Sequence, residues 1–199
     1  MNDTDLWRSF RDGDDTAFSI LYKSQIEVLY KYGHKLTTDT QLVEDSIQDM
    51  FIELWNGRQR LSDTDSIKFY LFRILRRKIT QNPLNRHDTA LDENVMEQKL
   101  FSLSAESQLI DVERENTRTK MLSSALLKLP SRQQEVINLR YFNSFNHQQI
   151  ADIMNISLQS VHNTLQKSMK GLREILSDYA EVILCGAGLV VAFLFWGRL

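Results

Sequence analysis

Toward the C-terminal end of this 199-residue chain, one helix-spaced stretch carries side chains suited to gripping a nucleic acid. Gln159, Ser160, His162, Asn163, Gln166, Lys167 and Lys170 interleave with an apolar stripe of Leu158, Val161, Leu165, Met169 and Leu172. That recurrence predicts a helix with the polar set on one face. Amides can bond to base edges and lysines can meet phosphates. No acid falls on this face before Glu174. A polar face on a terminal helix is by itself an ordinary solvated face, so its meaning depends on the elements that precede it.

Those elements read as two capped helices and a turn. Ser131 with Gln134, and Asn146 with Gln149, have the spacing of a capping box, in which the third residue of a helix reaches back to its cap. Val136, Ile137, Leu139 and Tyr141 supply the apolar face of the first helix. The second, over about residues 147–154, places small Ala151 where another helix must approach closely. Asn155 follows at the turn, a residue type that tolerates a left-handed backbone, and Ser157 can cap the last helix. A capped helix, a short turn, a small crossing residue and a polar helix make a helix-turn-helix, whose final helix reads duplex DNA.

A second cluster lies earlier. Residues 66–87 contain Lys68, Arg73, Arg76, Arg77, Lys78 and Arg86 and no acid, whereas residues 88–116 hold eight acids against Lys99 and Arg114. The formal net charge of −2 hides this segregation, and it is the local field that steers a polyanion. Phe69, Tyr70 and Phe72 interleave with the cations. Two readings of Phe69 and Tyr70 stand side by side: core packing, or stacking platforms for single-stranded bases beside phosphate-binding cations.

Two prolines, seven glycines and long runs of helical periodicity predict an all-α protein of two small helical domains joined by a linker. The expected divisions are residues 1–84, an acidic linker over 85–116, the helix-turn-helix domain over 117–178 and a hydrophobic tail over 179–199. In the first domain a short helix with Leu6, Trp7 and Phe10 stops near Gly13. A second begins at about Asp15 and buries Phe18, Leu21, Tyr22, Leu29 and Tyr32. A third, capped near Thr38 or Asp39, turns Val43, Ile47, Met50, Phe51, Leu54 and Trp55 inward. Its reverse side carries Glu44, Asp45, Gln48, Asp49 and Glu53 with no local basic partner. A polar loop over residues 58–65 precedes a fourth helix, which begins at Ser66 and is ended by Pro83.

Some functions are disfavoured. Met1 to Leu6 holds two acids and no apolar run, so no secretory signal is expected. Cys185 stands alone, which rules out an intramolecular disulfide and fits a reducing compartment. The histidines at 34, 87, 147 and 162 lack metal-ligand spacing, and there is no glycine-rich phosphate loop or nucleophile elbow. No catalytic residue, metal site or cofactor is expected. Residues 182–196 carry no charge; as a helix they would span roughly 22 Å, short of a bilayer core of about 30 Å. Docking of this tail against protein is favoured, with membrane association as the alternative.

Taken in order, these features resemble the extracytoplasmic-function group of bacterial sigma factors, which retain regions 2 and 4. The resemblance runs from about Gly13 to Arg173. In region 2 it rests on Gly13-Asp14-Asp15-Thr16-Ala17-Phe18, on Leu21-Tyr22, and on Val43-Glu44-Asp45-Ser46-Ile47-Gln48-Asp49-Met50-Phe51 closing on Leu54-Trp55. In region 4 it rests on Leu129-Pro130-Ser131-Arg132-Gln133-Gln134, Leu139-Arg140-Tyr141-Phe142, Ile150-Ala151 and Leu172-Arg173. It is their joint order and spacing that make the match specific.

The resemblance implies roles. Asp45, Gln48, Asp49 and Glu53 correspond to the face that docks on the β′ clamp helices of core RNA polymerase; the β flap would engage region 4. Arg58, Arg60 and Ser62 lie in the loop that accepts a flipped base of the −10 element, a step that costs a few kcal/mol and needs hydrogen-bonding groups. Lys68, Tyr70, Arg73, Arg76 and Arg77 complete the expected −10 contacts. Gln159, Ser160, His162, Asn163, Gln166, Lys167 and Lys170 would read the −35 element, and the acidic linker would thread through the polymerase. An anti-sigma factor or other dedicated partner is compatible with this assignment, as is a bacterial cytoplasmic location. The sequence departs from the family where Tyr70 replaces a usual tryptophan and Arg77 an asparagine. His162 and Thr164 likewise replace a usual lysine and arginine, leaving the reading helix with less fixed positive charge. Two rival functions fit parts of the chain: a helix-turn-helix regulator that is no sigma subunit, and a membrane-tethered adaptor.

Overall fold

The computed structural model describes residues 2–81 and 113–177, all of whose regular elements are helical. Expectations for the tail, and for the linker up to residue 112, lie outside these residues. Among the described residues no helix is long and apolar enough to cross a membrane.

Four helices form the first half: α1 (Asp3–Arg11), α2 (Asp15–Leu36), α3 (Thr40–Gly57) and α4 (Ile67–Gln81). Their starts follow local chemistry. Asn2, Asp14 and Asp39 each accept a bond from an otherwise orphaned backbone N–H in the first turn. Gly13 joins α1 to α2 at φ +92°, a backbone region costly for other residues. Gly33 lets α3 approach α2, since a Cβ there would lie 2.5 Å from Val43 Cγ1. Leu6, Trp7, Phe10, Leu21, Leu29, Tyr32, Val43, Met50, Leu71, Phe72 and Leu75 fill the core between these helices. The buried stripe of α2 differs from expectation in two places. Phe18 is only half-buried, and Tyr22 is 40 % exposed at the lip of a groove between α2 and α3.

The second half comprises α5 (Glu113–Leu127), α6 (Ser131–Ile137) with a π-helical turn at Asn138–Phe142, α7 (His147–Met154) and α8 (Leu158–Ser177). Four residues at the end of the expected linker thus belong to α5. The capping box of α7 forms as expected, with Asn146 accepting from Gln149 N–H and Gln149 accepting from Asn146 N–H. Asn155 takes the left-handed turn at φ 52°, and Ser157 Oγ accepts from Ser160 N–H.

The box expected at Ser131 does not form. Pro130 stands at the cap, and the Gln134 amide instead donates to the Leu127 and Leu129 carbonyls, closing the end of α5. Tyr141 is 51 % exposed rather than inward, because the wider π turn rotates the chain away from the 3.6-residue period. Leu158, at the first turn of α8, is likewise exposed.

The sequence divides the chain into two domains; the structure packs them together. α4 lies against α7, and α2 touches α6. One apolar cluster runs from Leu6 through Phe72 and Phe145 to Val161 and Leu165. A smaller one of Ala125, Leu129, Ile137 and Leu172 closes the far side of α8.

Candidate nucleic-acid interface

The polar face of α8 is open. Gln159, His162, Asn163, Gln166, Lys167 and Lys170 are exposed and Ser160 is half-buried, while Val161, Leu165 and Leu172 turn into the core. Gln159 Nε2 donates to Asn163 Oδ1 at 2.9 Å, which orders two amides along this face. Thr164 Oγ1 is turned back on the Ser160 carbonyl. His162 stands edge-on to His147 of α7, ring centroids 4.3 Å apart. Burial, then the neighbouring His162 and Arg140 charges, lowers the His147 pKa. The resulting surface offers neutral hydrogen-bonding groups at its centre and lysines toward its end.

The loop before α4 is held from one side. A 3₁₀ turn at Arg58–Arg60 leads into it. Trp7 Nε1 donates to the Ser62 carbonyl at 2.9 Å, Arg11 pairs with Asp63, and an Asp3 carboxylate oxygen accepts from Ile67 N–H at 3.2 Å. From sequence, α1 is only a short helix with Leu6, Trp7 and Phe10 and no assigned part in the site. The available signal was three polar-capable residues, Asp3, Trp7 and Arg11, at helical spacing on one face. Arg58 lies over the Trp55 ring at 4.3 Å and donates to the Trp55 carbonyl, whereas Arg60 and Ser62 face solvent.

The expected −10 residues on α4 fall into two sets. Arg73 and Arg77 are exposed. Tyr70 is half-buried, edge-on to Trp7 at 5.2 Å, and burial raises its phenol pKa against the opposing charges of Arg77 and Arg73. Lys68 and Arg76 point instead into the second half of the chain. Lys68 Nζ donates to the Asn143 carbonyl at 3.1 Å, and burial lowers its pKa. Arg76 Nε donates to Glu135 Oε1 at 2.7 Å and Arg76 Nη1 to the Met154 carbonyl at 3.1 Å. Tyr32 Oη donates to the same Glu135 oxygen at 2.8 Å. Burial pushes the Tyr32 phenol well above its ordinary range, with the Glu135 charge adding to the effect. Burial works against the Arg76 charge, but the Glu135 carboxylate outweighs it. Phe69, one of the rings left open between two readings, packs partly buried against Phe145. Tyr32, Glu135, Asn143 and Phe145 were not singled out as functional from sequence. Only an isolated acid beside Val136 and Ile137 hinted at a buried partner.

On the reverse side of α3, Asp45, Gln48, Asp49 and Glu53 are all exposed. They differ from expectation in having local partners: Glu53 pairs with Lys78 of α4 at 2.6 Å, and Asp45 accepts from Gln41. An apolar groove of about 790 Å³ opens beside Gln48 and is lined by Phe18, Tyr22, Phe51, Ile52 and Trp55. Ile52 is 49 % exposed there, next to Glu53. This acidic and apolar combination suits a helical protein partner.

Comparison with known proteins agrees with this geometry. Sigma-70 region 2 matches residues 21–82 and Sigma-70, region 4 matches residues 119–172, together more than half of the chain. The RNA polymerase sigma factor YlaC of Bacillus subtilis is 23 % identical over 171 residues, covering 86 % of this chain and 96 % of its own. The ECF RNA polymerase sigma factor SigL of Mycobacterium tuberculosis is 24 % identical over 159 residues, covering 79 % and 88 %. Among solved structures, CnrH in complex with the cytosolic domain of CnrY aligns with a TM-score of 0.57 at 18 % identity, over 88 % of this chain and 97 % of that one. The sigma factor RpoE of Bartonella quintana, solved with the anti-sigma factor NepR, aligns with a TM-score of 0.55 at 20 % identity, over 80 % and 96 %. These structures share the fold. With both regions matched in order, and with a basic helix preceding a capped helix-turn-helix, the chain belongs to the sigma-70 family as a promoter-directing sigma factor of the extracytoplasmic-function group.

Proposed function

We propose the following division of labour within this sigma factor. The α3 face of Asp45, Gln48, Asp49 and Glu53, with the groove beside it, docks on the β′ clamp of core RNA polymerase, while the helix-turn-helix half meets the β flap. The loop carrying Arg58, Arg60 and Ser62 receives a base of the −10 element. Arg73 and Arg77, with Tyr70 beside them, hold the melted strand through phosphate contacts and stacking; Lys68 and Arg76, expected from sequence to join them, are engaged instead by the Asn143 carbonyl and the Glu135 carboxylate. Gln159, Ser160, His162, Asn163, Gln166, Lys167 and Lys170 read the −35 element in the major groove.

One observation carries this reading. The polar face of α8 is open to solvent directly after a capped helix and a left-handed turn, on the same chain as a basic helix beside a tethered polar loop. A regulator of duplex DNA needs the first feature and has no use for the second. Because CnrH and RpoE were solved with CnrY and NepR, a dedicated anti-sigma partner is part of the proposal, as is a location with the polymerase in the bacterial cytoplasm. In vitro transcription with core polymerase across genomic fragments tests it. Initiation at a defined set of sites is the expected result; a chain that binds DNA yet never redirects core polymerase would refute it.

A further inference from the structure

The reading face of α8 begins without a fixed charge. Over residues 158–165 its one titratable side chain is the exposed His162, and the first cation of the helix is Lys167. Gln159 and Asn163 bond to each other, and Thr164 is turned back on the Ser160 carbonyl. His162 is met edge-on by His147, the first residue of α7, at 4.3 Å between ring centroids and 80° between planes. The capping box of Asn146 and Gln149 fixes the helix start on which His147 sits. Arg140 of the π turn acts on the same ring, and its Nη1 is held by the Phe145 carbonyl at 3.1 Å. The other charges brought to α7 and α8 are already engaged. On α4, Lys68 is bonded to the Asn143 carbonyl and Arg76 is paired with Glu135 of α6. Asp152, the acid of α7, accepts from Gln148, and Glu174 of α8 pairs with Lys170. The charges acting on His147 are thus those of His162 and Arg140, both positive when present. The cluster lacks an anion.

We propose that His162 and His147 form a proton-linked contact to the −35 duplex: His162 meets a backbone phosphate as an imidazolium, and His147 is the positioning residue that holds its ring. The inference rests on α8 being the −35 reader of the proposed function. Edge-on packing orients the His162 ring, and a protonated imidazole has two N–H donors to offer an acceptor. Burial, with the His162 and Arg140 charges, lowers the His147 pKa and makes it the neutral member of the pair. A phosphate oxygen beside His162 favours the charged form, as any opposite charge within a few ångström does. Duplex binding therefore draws one proton from solvent. Because histidine ordinarily titrates at about pH 6.5, the front of the reading helix gains its cation within the physiological range.

Binding of the full chain to a labelled short duplex of mixed sequence tests it, since the α8 face is open and phosphate contacts do not depend on sequence. Uptake of one proton should make affinity about tenfold weaker at about pH 8 than at about pH 6. The slope of log affinity against log salt should be steeper by about 0.9 at the lower pH, the share of one added phosphate contact. His162→Gln should bind weakly with a flat pH profile, and His162→Lys tightly with an equally flat one. His147→Ala frees the His162 ring and should reduce the pH slope; His147→Phe, which restores a ring without a titrating group, should recover it. Circular dichroism confirms that each variant is folded; if His147→Ala is not, His162→Gln, at an exposed position, carries the test. An unaltered pH slope in folded His147→Ala would overturn the positioning role. If His162→Gln keeps the full slope while Lys167→Ala with Lys170→Ala still weakens binding, the proton linkage is overturned and α8 remains the reader. If none of these changes affects binding, the α8 reading falls with it.

Discussion

Trp7→Phe isolates the tether on the loop before α4, the proposed reader of the −10 base. Trp7 is 1 % exposed, packs against Phe10 and Tyr70, and donates through Nε1 to the Ser62 carbonyl at 2.9 Å. Phenylalanine keeps an aromatic ring in the site and removes the donor. Loss of a neutral hydrogen bond costs about 0.5–1.5 kcal/mol, and the smaller ring costs roughly 1 kcal/mol more in lost packing. The sum is about 1.5–2.5 kcal/mol. At roughly 2–4 °C per kcal/mol for a chain of this size, the melting temperature should fall by about 3–10 °C. The functional consequence is separable from this. With Trp7 gone, the segment over residues 61–67 retains the Arg11 pair at Asp63 and the Asp3 bond at Ile67 but loses its anchor at Ser62. Amide exchange in the loop should therefore accelerate more than in α3. Discrimination among −10 bases in promoter-selection assays should narrow, while affinity for core polymerase holds. If melting falls but loop exchange and base preference both match the unmodified protein, Trp7 is a core residue and the positioning argument is wrong.

Further outcomes follow from the other surfaces. Asp49→Lys with Glu53→Lys should weaken core polymerase capture about tenfold or more, and because Glu53 pairs with a largely buried Lys78 it should also lower stability slightly, within about 1 kcal/mol; undiminished capture refutes the docking face. Asn163→Ala or Gln166→Ala should cost roughly 1–3 kcal/mol at one −35 position, whereas Thr164→Lys should raise affinity for many sequences alike, and a promoter profile indifferent to all three removes α8 as the reader. Since the pKa of His147 is depressed in the folded state, first by burial and then by His162 and Arg140, its contribution to stability is present above the ordinary histidine pKa of about 6.5 and lost as pH falls through the folded value. His147→Gln should flatten the loss of stability between about pH 7 and pH 5; an unchanged slope in denaturant titrations excludes this histidine as its source.

The helices were legible in the sequence wherever local chemistry sets them. The Asn146–Gln149 box, the left-handed Asn155 and the Ser157 cap each depend on residues a few positions apart, so type and spacing suffice. The same holds for the polar face of α8 and the acidic face of α3, which periodicity alone defines. Local reasoning failed where a neighbouring element competed for the same atoms. Gln134 could have closed a box with Ser131, but the carbonyls ending α5 captured its amide. Tyr141 followed the helical period until the π turn shifted it.

The packing of the two halves lay beyond any sequence window. Tyr32, Arg76 and Glu135 are separated by up to 103 positions, and each alone reads as an ordinary tyrosine, arginine or acid. Only burial at a shared point gives them meaning, because an ion pair withdrawn from water is governed by its partners, not by composition. The chain's residues thus determine which surfaces can meet polymerase and DNA. Which of those surfaces are open at a given moment depends on tertiary structure, since the cations that suit a phosphate suit a buried carboxylate equally well.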